Sequence, residues 1–380
     1  MSQERIYLDY NASTPIAPEV REAMMPFVAD AFGNPSSGHW ASVLAAAALR
    51  GAREQVAALL AVDPGEVVFT SGGSESSNWA IKGVVLRHLR QQPGSHPKII
   101  TTAVEHPATL EPSLWLQGFG ARLEVVPVDE HGMVDPEAVA GAIDGETVLV
   151  SIMHANNEVG TIQPVAAVAE VAHERGVLLH CDAAQSVGKI PVHPRSLGAD
   201  LVSLAGHKLY APKGVGALYL RDGLELDPLI HGGGHERGRR AGTESVLLAV
   251  GLGAACALAR TEPCGEHLAA TRDRLWHGIR ERPDVRLHGH PIERLPNTLN
   301  VGFVGRLGTD ALAALDGVAA STGSACHAGE TTMSRVLAAM GVAEESGLGA
   351  VRFSTGRMTT TDQIDAVLAQ LERLPIQQTS

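Results

Sequence analysis

The sequence predicts an α/β protein with a mainly parallel sheet, followed by a smaller α+β lobe. Three observations predict it. Short apolar runs alternate with Ala- and Leu-rich helical stretches over most of the first 250 residues, as strands covered on both faces require. Several of those runs end in polar or glycine clusters, where open parallel sheets collect ligands. Beyond about residue 255 the texture changes to longer helical stretches with fewer strands. In order, helical periodicity covers 18–32 and 45–62, and "EVVFTSGG" (66–73) reads as a buried strand ending in a glycine turn. Strands follow at 98–106, 146–157, 176–185, 199–207 and 214–221, with a helix over 165–176. The second lobe reads as one long helix across 245–282, a strand at 297–305, a cysteine-bearing loop, a helix near 331–341, a strand at 350–357 and a final helix from 361.

The bulk numbers exclude several function classes. With 380 residues, 44% of them hydrophobic, the chain can bury a sizeable core in more than one lobe. A net charge of −12 argues against nucleic acid or an anionic membrane as the main partner, yet permits a local basic pocket for a small anion. The four cysteines, at 181, 256, 264 and 326, form no C-x-x-C pair and no metal-ligand spacing, which fits free thiols in a reducing compartment. His231 and His235 are four apart, but the glycines between them deny a shared helix, so no metal site is expected. The start "MSQERIYLDYNAST" has no apolar targeting region, and no apolar run reaches roughly 18 residues. The expectation is a soluble, cytoplasmic protein.

Six places carry chemistry. Lys208, in "LAGHKLYAPKGVG", follows a strand; it is either a surface lysine or one held to form a Schiff base with a carbonyl cofactor. Asp182 ends the run "VLLHCD", where an acid is costly unless paired. It suits a helix cap, or a carboxylate that keeps a pyridine ring nitrogen protonated. Gly72, Gly73 and Ser74 stand at a strand-to-helix junction, a seat for phosphate, without the spacing of a nucleotide or dinucleotide loop. His106 in "VEHPA" and Asn157 in "HANNEVGT" stand at further strand ends, where a core or cap role is as consistent as a catalytic one. Cys326, in "ASTGSACHAGE", is a thiol flanked by small residues, the composition of a mobile loop rather than a packed core.

Together these blocks closely resemble the cysteine desulfurases, class V, fold-type-I pyridoxal-phosphate enzymes. The resemblance runs from "YLDYNASTPIAPEV" and "FGNPSSGH" through "FTSGGSES", "NNEVGTIQPV", "DAAQSVGKIPV", "GHKLYAPKGVGALY" and "HGGGHERGRRAGTESV" to "GSACHAG" and "VRFSTGR". It implies a large domain at 14–255 with a mainly parallel, seven-stranded-type sheet. A small domain, 1–13 and 256–380, would carry the cysteine loop. It also implies pyridoxal 5'-phosphate bound covalently at Lys208, with Asp182 on the ring nitrogen, Gln185 on the ring hydroxyl and His106 stacked on the ring. Asn157 would lie near the ring hydroxyl and the substrate carboxylate. Gly73, Ser74 and His207 would seat the phosphate, with Thr243 reaching in from the second subunit of a homodimer. Arg352 would clamp the substrate carboxylate, and Lys208, His106 and Cys326 would be catalytic. Cys326 would take sulfur from L-cysteine as a persulfide, leave L-alanine, and pass the sulfur to an acceptor protein or small thiol.

Three departures from that pattern stand out. Ala205 replaces a serine that many desulfurases use toward the phosphate. His327 follows the cysteine where housekeeping members commonly carry Ser or Thr. The sequence ends soon after "QLERLPIQQTS", without a longer tail for docking an iron–sulfur scaffold. "GSACHAG" and "AGHK" are similar to a subgroup that includes selenocysteine lyases, so L-selenocysteine stands as the alternative substrate. An aminotransferase or carbon–sulfur lyase would share Lys208, Asp182 and His106 but need no thiol loop.

Overall fold

Strands buried on both faces need apolar side chains at every position, and the runs that meet this demand build one sheet. The computed structural model describes residues 5–322, 324–327 and 330–377, with the backbone alone at 324–327, 330 and 331. The sheet has seven strands in the order Val67–Thr70, Gly216–Leu220, Leu201–Ala205, Leu178–Asp182, Thr147–Met153, Lys98–Thr102 and Arg122–Val126. All run parallel except Gly216–Leu220, which is antiparallel to both neighbours. Alternate residues serve opposite faces, as the pleat requires. Val67, Phe69, Ile100, Val150 and Val202 pack with the helices Val43–Leu60, Val165–His173 and Val246–Thr261. Val68, Ile99, Leu149, Leu201 and Leu218 pack with Gly73–Gln91 and Pro107–Gln117. The strand Arg122–Val126 is missing from the sequence reading for a physical reason. As an edge strand it buries only Val126 and needs no continuous apolar run.

The second lobe centres on an antiparallel sheet, Ser321–Thr322, Ala350–Ser354, Thr298–Phe303 and Val285–His288. The helices Gly265–Ile279 and Thr361–Leu371 share its core, which Ile6 and Leu8 of the N-terminal segment also enter. The helix expected across 245–282 is two helices, Val246–Thr261 and Gly265–Ile279, bent by 78°. Pro263 sits in the break, where its ring and missing N–H prevent helix continuation. The first helix runs through position 255 and carries Cys256 and Leu258 into the core of the large sheet. The helix expected over 18–32 ends at Met24, and a 3-10 turn containing Pro26 follows. Instead of a loop, the backbone around Cys326 forms an antiparallel hairpin, Ser324–His327 with Glu330–Met333. The helix expected near 331 therefore begins only at Arg335. No single helix among the described residues is long and apolar enough to cross a membrane.

Candidate active site

The carboxyl ends of the parallel strands open into a cavity of about 650 Å³. Eleven of the residues singled out above line it: Gly72, Gly73, Ser74, His106, Asn157, Asp182, Gln185, Ala205, His207, Lys208 and Arg352. Thr243 does not. It is exposed and lines a separate small cleft of about 90 Å³ with Arg240 and Glu244. The Cys326 side chain lies outside the described residues, although its backbone pairs with Thr331 in the hairpin.

Each wall has a local cause. The helix Gly73–Gln91 starts at the end of its strand, so its first-turn N–H groups face the cavity without intrahelical acceptors. The junction is tight: a Cβ on Gly73 would meet the Ala205 methyl at 3.1 Å. Nearby Glu75 would repel an anion, but its carboxylate binds Arg240 at 2.9 and 3.1 Å and accepts the Ser71 N–H at 2.7 Å. Burial pushes its pKa up, yet these hydrogen bonds outweigh burial and hold it below the usual range.

Asp182 ends its strand as a buried carboxylate, and its Oδ1 accepts the Ala184 N–H at 3.0 Å. Burial raises its pKa, with that hydrogen bond, His106 and Lys208 opposing. Two residues earlier His180 bridges Ser151 Oγ at 2.7 Å and Ser203 Oγ at 2.8 Å, tying three adjacent strands together. Burial alone drives its pKa down to about 3, so it stays neutral and structural. His106 caps the helix Pro107–Gln117, its Nδ1 accepting the Ala108 N–H at 3.1 Å. Burial lowers its pKa against the pull of Asp182, leaving a neutral imidazole with its proton on Nε2 at neutral pH. His207 is pushed down to about 4 by burial, then by Lys208 and Lys213.

Lys208 follows the strand Leu201–Ala205 in a 3-10 turn. Its Nζ donates to the carbonyls of Asn11 and, at 2.8 Å, Ala12. Burial and Arg352 lower its pKa to about 8, with Asp9 and Asp182 opposing. Arg352 enters from the other lobe on the strand Ala350–Ser354. Its guanidinium donates to Asp9 Oδ1 at 2.6 Å, Ser321 Oγ at 2.9 Å and the Asn157 carbonyl at 2.9 Å. Asn157 therefore presents its backbone carbonyl to Arg352 and also lines the cavity.

The sequence reading assigned no role to Asp9 or Asn11; the structure places Asn11 in the cavity wall and Asp9 against the Arg352 guanidinium. Asn11 donates its N–H to Ser354 Oγ and its Nδ2 to Asn157 O and Thr298 Oγ1. Its carbonyl accepts from Gln185 and Lys208, and its Oδ1 from Lys189 and Asn297. This one residue spends every donor and acceptor it has on tying the two lobes together. The available signal was the polar cluster in "YLDYNAST", which directly follows Ile6 and includes Leu8.

The donor set fits a phosphorylated pyridine aldehyde. A buried carboxylate calls for a cationic partner, a helix N-terminus for an anion, and a depressed lysine for a carbonyl. A family model described as Aminotransferase class-V matches residues 6–367, so fold and site define a pyridoxal-phosphate-dependent protein of that class. Cysteine desulfurase IscS from Methanosarcina thermophila is 45% identical over 96% of this chain and 90% of its own length. A solved NifS-like protein superposes with a TM-score of 0.90 at 38% identity, covering 97% of this chain and 98% of its own. Another, titled SspA in complex with cysteine, has a TM-score of 0.81 at 37% identity, covering 92% and 98%. Within the class-V family the chain belongs to the cysteine desulfurases.

Proposed function

We propose that this cysteine desulfurase converts L-cysteine to L-alanine and carries the sulfur away on Cys326. The supporting observation is that Lys208, Asp182 and Arg352 line one cavity although they come from different strands and both lobes. The cofactor, when bound, supplies an electron sink that acidifies the substrate Cα. Lys208 would hold it covalently, Asp182 would pair its ring nitrogen, Gln185 its ring hydroxyl and His106 its ring face. Gly73, Ser74 and His207 would hold its phosphate.

The residues then divide the work. Arg352 binds the substrate carboxylate with Asn157 beside it, and Lys208 takes the Cα proton. The Cys326 thiolate attacks the substrate sulfur, the carbon–sulfur bond breaks, and its electron pair returns to carbon, which is protonated. One cysteine and one thiol become one alanine and one persulfide, so no external oxidant or reductant enters. The sulfur then passes to an acceptor protein or small thiol. The desulfurase names of the relatives favour cysteine over selenocysteine. Alanine formation from each amino acid on purified, cofactor-loaded protein tests this. Faster turnover of cysteine is expected, and turnover of selenocysteine alone would overturn the reading.

A homodimer completes this reading. Phe32 and Trp40 are 78% and 84% exposed, and Met25, Val28, Val43 and Leu44 around them are exposed as well. Apolar exposure of that size marks an interface, and a second copy would bring Thr243 toward the phosphate seat. The free, buried cysteines 181, 256 and 264 suit a reducing, cytoplasmic setting.

Asp9 is expected to set substrate affinity. Its carboxylate holds the Arg352 guanidinium at 2.6 Å. Asp9→Asn should raise the KM for cysteine about tenfold, with a smaller loss in kcat, because the clamp loses its orientation and the chemistry keeps its groups. Steady-state kinetics separates the two parameters.

A further inference from the structure

Lys189 belongs to neither the fold's core nor the roles assigned above. It follows Gly188, whose φ of +78° and contact with Leu209 leave no room for a side chain. The turn this forces aims the lysine back toward the site. Its Nζ donates to Gln185 Oε1 at 2.9 Å and to Asn11 Oδ1 at 3.0 Å. Gln185 in turn donates its Nε2 to the Asn11 carbonyl at 2.9 Å.

These bonds fix which end of an amide faces which way. A protonated lysine can only donate, so the atom it touches on Gln185 is the oxygen. The opposite end is pinned by a carbonyl, which can only accept, so that atom is the NH₂. One N–H of Gln185 is used by Asn11, and the other remains on a residue that lines the cavity. Loss of a proton from Lys189 does not reverse the amide, because the Asn11 carbonyl still accepts from its NH₂ and a neutral amine keeps two N–H groups for its two acceptors. Burial, Lys208 and Arg352 all push its pKa down, with Cys264 opposing.

We propose that Lys189 is a positioning residue of the cofactor pocket, holding the Gln185 amide so that its NH₂, and not its oxygen, meets the ring oxygen of the bound cofactor. This rests on the reading of Gln185 as the partner of the ring hydroxyl. A ring oxygen that receives a hydrogen bond is stabilised in its ionised form, which lowers the pH at which the bound chromophore loses its proton.

The test is a pH titration of the visible absorption band of the holoenzyme without substrate. Lys189→Met should move the midpoint up by about one unit, and Lys189→Arg, which keeps the donors, should restore it. A lysine that only packs would change thermal stability and leave the midpoint in place. Should the methionine variant fail to fold, Gln185→Glu serves. It keeps an acceptor for Lys189 but turns an oxygen to the ring, so its midpoint should also rise. An unshifted midpoint in Lys189→Met, or in Gln185→Glu, overturns the proposal. Gln185→Ala then tells the two failures apart: a shift there means Gln185 meets the ring without help from Lys189, and none means Gln185 does not meet it. Absence of any visible band in wild-type protein incubated with pyridoxal phosphate would instead overturn the cofactor assignment itself.

Discussion

Replacing Cys326 by alanine should leave a protein that binds its cofactor normally but forms alanine from cysteine at least about a thousandfold more slowly. The expectation rests on the other thiols as much as on this one. Cys181 and Cys256 are fully buried, and Cys264 is nearly so. Burial pushes all three thiols up, Cys256 to about 12, so none is a thiolate at neutral pH. A nucleophile must also approach the substrate sulfur and then leave with it. None of these three packed thiols can do that. Cys326→Ser should be equally inactive, because a hydroxyl is neither ionised nor able to hold sulfur at the same oxidation level. Alanine release measured under substrate saturation checks both variants, and wild-type rates in Cys326→Ala would remove the thiol from the reaction.

The Lys208→Ala variant should lose more, on the order of ten-thousandfold in kcat/KM, because in the proposed function one amine would serve both cofactor retention and proton transfer. Lys208→Arg should not rescue it, since a guanidinium remains protonated and cannot act as base or nucleophile. The depressed pKa also has a kinetic signature. Burial and Arg352 hold Lys208 near about 8, so below that pH the reactive neutral amine is a minority. Capture of free pyridoxal phosphate by the apoprotein should therefore quicken about tenfold per pH unit on approach to 8, then level off. Stopped-flow absorbance reads this directly. An ordinary lysine would keep accelerating for about two units more.

Parts of this site were legible in the sequence because some of its members stand at local signals, whereas Gln185, His207 and Arg352 were named only through the family resemblance. Asp182 follows four residues of a buried strand, Lys208 sits between a strand and a glycine turn, and Gly73 opens a helix. Topology then brings strand ends together without further instruction. The residues that escaped notice act through partners far away in the chain. Asp9 reaches Arg352 across 343 positions, Asn11 reaches Gln185 across 174, and Lys189 reaches back to Asn11 across 178. No periodicity or motif spacing encodes such pairs. The fold shows the same division. Apolar runs gave the central strands, while the edge strand Arg122–Val126 carries polar residues and left no pattern. The Pro263 break was readable in principle. The apolar periodicity on both sides of it outweighed one proline in the reading of 245–282.

The central claim is that sulfur leaves cysteine onto this chain before it reaches any acceptor. The most direct measurement is the mass of the proteolytic peptide carrying Cys326 after one turnover with L-cysteine, taken under non-reducing conditions with alanine quantified in the same sample. The account predicts a gain of one sulfur atom on that peptide, lost on reduction, in equal amount to the alanine formed. Alanine formed in the absence of any added thiol, with the Cys326 peptide at its original mass, would contradict it.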